Sequence, residues 1–203
     1  MLESNYQSSS DRIVDEIDRA RAQEYALLAT LLSRSPNAHF ISCLALLDGD
    51  ASPIGVAHAA LAEAAARTNE EDAAREYRDL FVGLGRGLLL PYSSYYLTGT
   101  LYGRPLARLR ETLQLLGIEK AGLPSEPEDH VAILCEIMAS LIGRTFASPA
   151  DADREFFEQH LAPWIRRFFF DLEHSNSARF YACVGSLGRV FVDVEREAFV
   201  HSA

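Results

Sequence analysis

The chain has 203 residues, 48% of them hydrophobic and 24% charged, with a formal net charge of -10 at pH 7. This length fits one ordinary domain or two small lobes, and the balance is that of a globular protein with a buried core. The acidic charge argues against a nucleic-acid backbone or an anionic membrane surface as partner, and it permits a basic one such as an arginine-bearing peptide.

The three cysteines, Cys43, Cys135 and Cys183, form no CxxC pair and are odd in number. Neither a structural zinc site nor a disulfide framework is expected, and a reducing cytoplasm is the expected compartment. No apolar run approaches the ~20 residues of a membrane span, and the N-terminus has no apolar stretch of the secretory kind.

The polar stretch Ser4-Asn5-Tyr6-Gln7-Ser8-Ser9-Ser10 has little to bury, so residues 1–10 are expected to be disordered. Asp11 to Ser35 is predicted helical, since Ile13, Ile17, Tyr25, Leu28, Leu31 and Leu32 recur at helical spacing. A short buried helix follows from His39 to Leu47, then an Ala-rich one from Val56 to Thr68. Asn69 with Glu70, Glu71 and Asp72 reads as an N-cap and acidic first turn of a helix reaching about Val82.

Gly83-Leu84-Gly85-Arg86-Gly87 ends that helix. It is no dinucleotide fingerprint, because that pattern follows a strand and opens a helix. An aromatic loop, Pro91-Tyr92-Ser93-Ser94-Tyr95-Tyr96, comes next. Gly103-Arg104-Pro105 then starts a helix with Leu106, Leu109, Leu113 and Leu116 inward and Gly117 at its end. Lys120 to Pro124 reads as a linker. Ser125 and Glu128 fit a capping box for a helix to about Phe146. Asp151 to His160, a Phe-rich core run from Ile165 to Leu172, and a last helix capped by Ser175-Asn176-Ser177 and ending at Phe199 complete the chain.

No segment alternates with period two. The fold class is all-α, roughly ten helices. Two helical lobes, 11–119 and 125–203, are joined by a hinge near residues 117–127.

Chemistry concentrates between Glu76 and His130. Acids favour the positive end of a helix, so Glu126-Pro127-Glu128-Asp129 makes a good helix start, but His130 does not fit it, since a cation is unfavourable there. Neither Glu-x-x-His nor HExxH occurs, which leaves no carboxylate-histidine metal pattern. Ser93 and Ser94 lie in no G-x-S-x-G elbow. The polar-aromatic loops suit a binding groove better than a catalytic set, and no catalytic residue, metal or cofactor is expected.

Four motifs in order carry a resemblance: Glu76-Tyr77-x-x-Leu80-Phe81-x-Gly83, Pro91-Tyr92-x-Ser94-x-Tyr96, Glu126-Pro127-x-Asp129-His130, and Phe157-x-x-His160-Leu161-x-Pro163-Trp164. Together they resemble the TorD/DmsD family of redox-enzyme maturation chaperones, related to the NarJ type, across residues 22 to 197. The resemblance implies a cytoplasmic, non-enzymatic chaperone that is a monomer or a domain-swapped homodimer. Its partner would be the precursor of a molybdopterin-containing oxidoreductase, held by its twin-arginine signal peptide until the cofactor is inserted. Carried over by motif, the signal-peptide-binding residues are Leu80, Phe81, Gly83, Pro91, Tyr92, Ser94, Tyr96, Glu126, Asp129 and His130. Several members carry Trp where this chain has Tyr92.

Physically, Glu126, Glu128 and Asp129 are suited to pair with guanidinium groups, Tyr92 and Tyr96 to stack on them, and Leu80 and Phe81 to take an apolar stretch. His130 would make binding pH-dependent. Two rival functions remain: a NarJ-type assembly factor for a non-exported molybdoenzyme, and a metal-dependent helical hydrolase using Asp129 and His130.

Overall fold

A computed structural model describes the backbone of residues 2–83, 87–118 and 126–201, and the side chains of these from residue 16 to 200. Ten α-helices are described: α1 (Leu2–Ser33), α2 (Ala38–Leu44), α3 (Pro53–Ala66), α4 (Glu70–Tyr77), α5 (Ser93–Thr98), α6 (Arg104–Leu115), α7 (Val131–Ile142), α8 (Ala152–Phe156), α9 (Ile165–Glu173) and α10 (Phe180–His201). α4 and α8 each run on into a π-helical turn, Arg78–Val82 and Phe157–Leu161. Among the described residues there is no β-strand, only the isolated bridge between Tyr92 and His130. The all-α class and the number of helices are as the periodicity predicts.

α1 packs along α7, and α10 packs against both α9 and α3. Tyr25, Leu28 and Leu32 of α1 meet Leu134, Cys135 and Met138 of α7 in one continuous core, which Phe168, Phe169, Val184 and Leu187 extend into α9 and α10. Each such fully buried Leu or Phe is worth roughly 1.5–3 kcal/mol relative to exposure. α9 and α10 approach closely because Gly188 has no side chain. A Cβ there would fall 2.2 Å from Cε1 of Phe169.

Polar clamps fix the ends of the bundle. Arg21 donates to both oxygens of the buried Glu195 at 2.7 and 2.9 Å and also to Asp18 and Asp153, which ties α1 to α8 and α10. The Tyr25 hydroxyl donates to the same Glu195 at 3.2 Å.

Three expectations change. Residues 2–10 belong to α1: no glycine or proline interrupts the run from Leu2 to Ser33, and propagating an existing helix costs little. The helix expected from Ser125 starts instead at Val131, with His130 as its N-cap. The acids before it serve other groups, and Ser125 lies outside the described residues. α10 starts at Phe180 without using Ser175-Asn176-Ser177 as its cap. The Glu76 carboxylate accepts its first N–H groups, from Arg179 (2.7 Å), Phe180 (3.2 Å) and Tyr181 (2.7 Å). The hinge expected near 117–127 falls largely on 119–125, outside the described residues.

Candidate functional site

The site is built where two loops are laced together. α4 opens on Asn69, whose side chain accepts the Asp72 N–H at 2.9 Å, and its last turn widens into the π-helical turn that ends at Gly83. Such turns recur at functional sites. The chain then doubles back over its own helix end: Leu89 N–H donates to the Leu80 carbonyl at 2.8 Å. Gly87 permits this, because a Cβ there would sit 2.5 Å from the Phe81 carbonyl carbon. Leu80 is thereby buried. Phe81 joins an aromatic trio with Tyr77 (ring centroids 5.0 Å apart) and Tyr181 (5.5 Å).

The next residues meet the Glu126–His130 turn. Ser93 N–H donates to the Asp129 carbonyl at 3.0 Å, and Val131 N–H donates to the Pro91 carbonyl at 2.8 Å. Asp129, 0% exposed, accepts the Ser94 N–H on Oδ2 at 2.8 Å and faces the Ser93 hydroxyl at 3.4 Å. The Asp129 carboxylate thus caps α5 from 35 residues away. Its other oxygen, Oδ1, has no hydrogen-bond partner among the described residues. Ser94 in turn accepts the Tyr102 N–H on its hydroxyl at 3.0 Å.

His130 fits the start of α7 because it is not a cation there. Its Nδ1 accepts the Ala132 N–H at 3.2 Å, which leaves the ring proton on Nε2. The residue is 8% exposed. Burial lowers its pKa, and the nearby Glu126 and Asp129 only partly oppose this. The Tyr92 ring stands edge-on to it at 5.1 Å.

Glu126 is the outward member of the set. It accepts a short hydrogen bond from the Tyr92 hydroxyl. Burial, then this bond, pushes the Tyr92 phenol above its ordinary pKa. Glu126 also adds to the burial that pushes Tyr77 up to about 12. The carboxylate therefore acts on both tyrosines, at the border between the laced loops and the aromatic trio. Val82, Leu88 and Tyr102 are exposed on the same segments.

Pro91, Tyr92, Ser94, Glu126, Asp129 and His130 thus come together, with Leu80, Phe81 and Gly83 on the flank through residues 87–90. Tyr96 lies apart: its ring packs on Trp164 (5.5 Å) and Phe168 (5.9 Å), and its hydroxyl donates to Asp171 at 3.1 Å. Glu128 faces α6, where Arg110 donates to it at 2.8 Å. Sequence reasoning missed Ser93, Glu76 as a cap, and Tyr102. Tyr102 is 57% exposed and holds φ of 71°, a rare conformation for a bulky residue. Its only sequence signal was a place between Gly99 and Gly103. No group of three or more His, Cys, Asp or Glu suited to a metal occurs among the described residues.

A family model described as nitrate reductase delta subunit matches residues 47–169, which include the whole laced site. The chain belongs to the nitrate reductase delta subunit family. Among family relatives, chaperone protein TorD of Vibrio cholerae serotype O1 (El Tor Inaba N16961) is 30% identical over 141 residues, covering 63% of this chain and 64% of the relative. Chaperone protein TorD of Shewanella loihica is 27% identical over 206 residues, covering 95% and 90%. The chain thus spans 64% of the first of these relatives and nearly all of the second. The crystal structure of a proposed redox enzyme maturation protein from Archaeoglobus fulgidus superposes with a TM-score of 0.57 at 20% identity, over 85% of this chain and 93% of that one. The TorD-like fold and family expected from the four motifs are therefore established. No helix among the described residues is long and apolar enough to cross a membrane.

Proposed function

We propose that this protein is a maturation chaperone without enzymatic activity, which binds the twin-arginine leader of a molybdopterin oxidoreductase precursor in the cytoplasm before cofactor insertion and export. The observation that carries this reading is Glu126. Its carboxylate accepts the Tyr92 hydroxyl, acts on the Tyr77 phenol as well, and has no cation partner among the described residues. A guanidinium arriving there meets a carboxylate, aromatic faces for stacking, and flanking exposed apolar side chains at Val82 and Leu88 for the stretch beyond it. The TorD relatives and the shared fold support the same assignment.

Asp129 and His130 take a different part from the one their exposure in a linear motif suggests. Both are buried and hold the two loops together, so they position Tyr92 and Glu126 rather than touch the leader. An affinity pull-down from native cytosol, followed by mass spectrometry, tests the proposal. A molybdoenzyme precursor still carrying its leader is the expected catch. A molybdoenzyme without a twin-arginine leader would shift the reading to an assembly factor for a non-exported enzyme, which the family description also accommodates. Recovery of no molybdoenzyme under aerobic and anaerobic growth would overturn it.

A further inference from the structure

Away from this site, a concavity of about 400 Å³ opens between the 162–164 turn, the first half of α9 and the end of α10. Arg166, Arg167 and Arg196 line it together with Pro163, Trp164 and Phe170, and no Asp or Glu does. That is unexpected in a chain with 29 acidic and 19 basic residues. Two other concavities among the described residues, beside α1 and α7, both include acidic side chains.

The arginines are also placed at a cost. Arg166 and Arg167 occupy the first turn of α9, which carries no acidic residue, and the positive end of a helix dipole disfavours cations there. Nearby carboxylates offset this only in part. Arg166 donates to Asp193 at 2.7 Å, and Arg167 lies 4.0 Å from Asp171, which is already engaged by the Tyr96 hydroxyl. Arg196 is exposed and has no ion pair among the described residues. Phe170, 46% exposed, adds an apolar surface beside them, and Val200, one turn beyond Arg196 on α10, is exposed as well. Arginines around a partly exposed aromatic ring are the composition of protein-recognition hot spots.

We infer that this concavity is a second interaction surface, which takes an acidic polypeptide segment carrying an apolar or aromatic side chain from a partner protein. Carboxylates of that segment pair with Arg167 and Arg196, and its apolar side chain lies on Phe170 and Pro163. The surface has the opposite polarity to the Glu126 site, so one molecule can hold a basic and an acidic segment at once. The two sites share a packed link, since Tyr96 of α5 lies on Trp164, which lines the concavity.

The test is fluorescence anisotropy at low salt on the full chain, with a fluorescein-labelled peptide of repeated Glu-Glu-Phe units and a Gln-Gln-Phe counterpart. The expected result is saturable binding of the acidic peptide only, weakened at least about tenfold in Arg167→Glu/Arg196→Glu. A charge-matched control, Arg34→Glu/Arg67→Glu, reverses exposed arginines elsewhere and should bind almost as the parent does. Circular dichroism establishes that both variants fold. Absence of saturable binding, or equal loss in both double variants, would overturn the inference. Displacement by inorganic phosphate beyond the effect of sodium chloride at the same ionic strength would also overturn it, in favour of a small-anion site. Concentration-dependent dimers in sedimentation, abolished by the cleft variant, would make a second copy of this chain the occupant and equally overturn the partner-segment reading.

Discussion

Asp129 and Glu126 belong to one five-residue motif, yet Asp129 faces the interior and Glu126 lies at the half-open surface. The Asp129 region is closed: its carboxylate caps α5, its carbonyl and the Pro91 carbonyl stitch two loops, and His130 caps α7 beside it. The Glu126 region is half open: a carboxylate on a phenol, with Val82, Leu88 and Tyr102 exposed around it. On the proposed function, this short motif combines a scaffold half and a reading half. The two are separable because a buried carboxylate is worth most where it satisfies backbone N–H groups, while an exposed one remains able to exchange partners.

Mutations that act on one half alone separate the two. The largest stability loss is expected from another internal carboxylate cap. Glu76→Ala strips three N–H groups of α10 of their acceptor and should cost about 2–3 kcal/mol in urea unfolding, while Glu76→Gln should keep most of it. Asp129→Ala should cost about 2 kcal/mol, because Ser94 N–H is left buried without an acceptor, and Asp129→Asn should cost much less. In the open half, Tyr102→Gly should do the reverse. It relieves the left-handed backbone, keeps the N–H that Ser94 accepts, and stabilises by about 1 kcal/mol, while weakening leader-peptide binding. A stabilised variant with unchanged affinity would show that Tyr102 takes no part in reading.

The smallest expected effect is in pH. His130 and His160 are held neutral by burial, His160 down to about 4, so the unfolded chain binds more protons below its ordinary histidine pKa. Stability should therefore fall as pH drops from about 6.5 towards those lowered values. His58 acts in the other direction. Its hydrogen bond to Glu24 raises its pKa, and that contribution is fully present below about 6.5 and fades as pH rises through the raised value. Replacing His130 by Asn, which also caps helices, should flatten the acid slope of the melting temperature without lowering stability near neutrality.

Much of the fold was legible because helix periodicity is local: Leu106, Leu109 and Leu113 on α6 and the Asn69 cap of α4 are read within a few residues. What escaped was long-range. Nothing near Phe180 shows that its helix is capped by Glu76, more than 100 residues earlier. Nothing near Ser125 shows that Glu128 turns to Arg110 and Asp129 to Ser94, so local propensity placed the start of α7 too early. The same holds within the site. Motif spacing names Tyr92, Glu126, Asp129, His130 and Tyr96 alike, but it does not show that Asp129 turns inward to Ser94 or that the Tyr96 hydroxyl reaches Asp171 on α9.

The division between the scaffold and reading halves is tested most directly by isothermal titration of a twin-arginine leader peptide, with a twin-lysine version as reference, into the parent protein, Glu126→Gln and Asp129→Asn. Glu126→Gln should lose at least about tenfold in affinity, and most of the preference for arginine over lysine, at an unchanged melting temperature. Asp129→Asn, in which the capping oxygen is retained, should bind nearly as the parent does. If Asp129→Asn abolishes binding while remaining fully folded, and Glu126→Gln binds normally, the buried carboxylate is the reader and the two halves are not divided in this way.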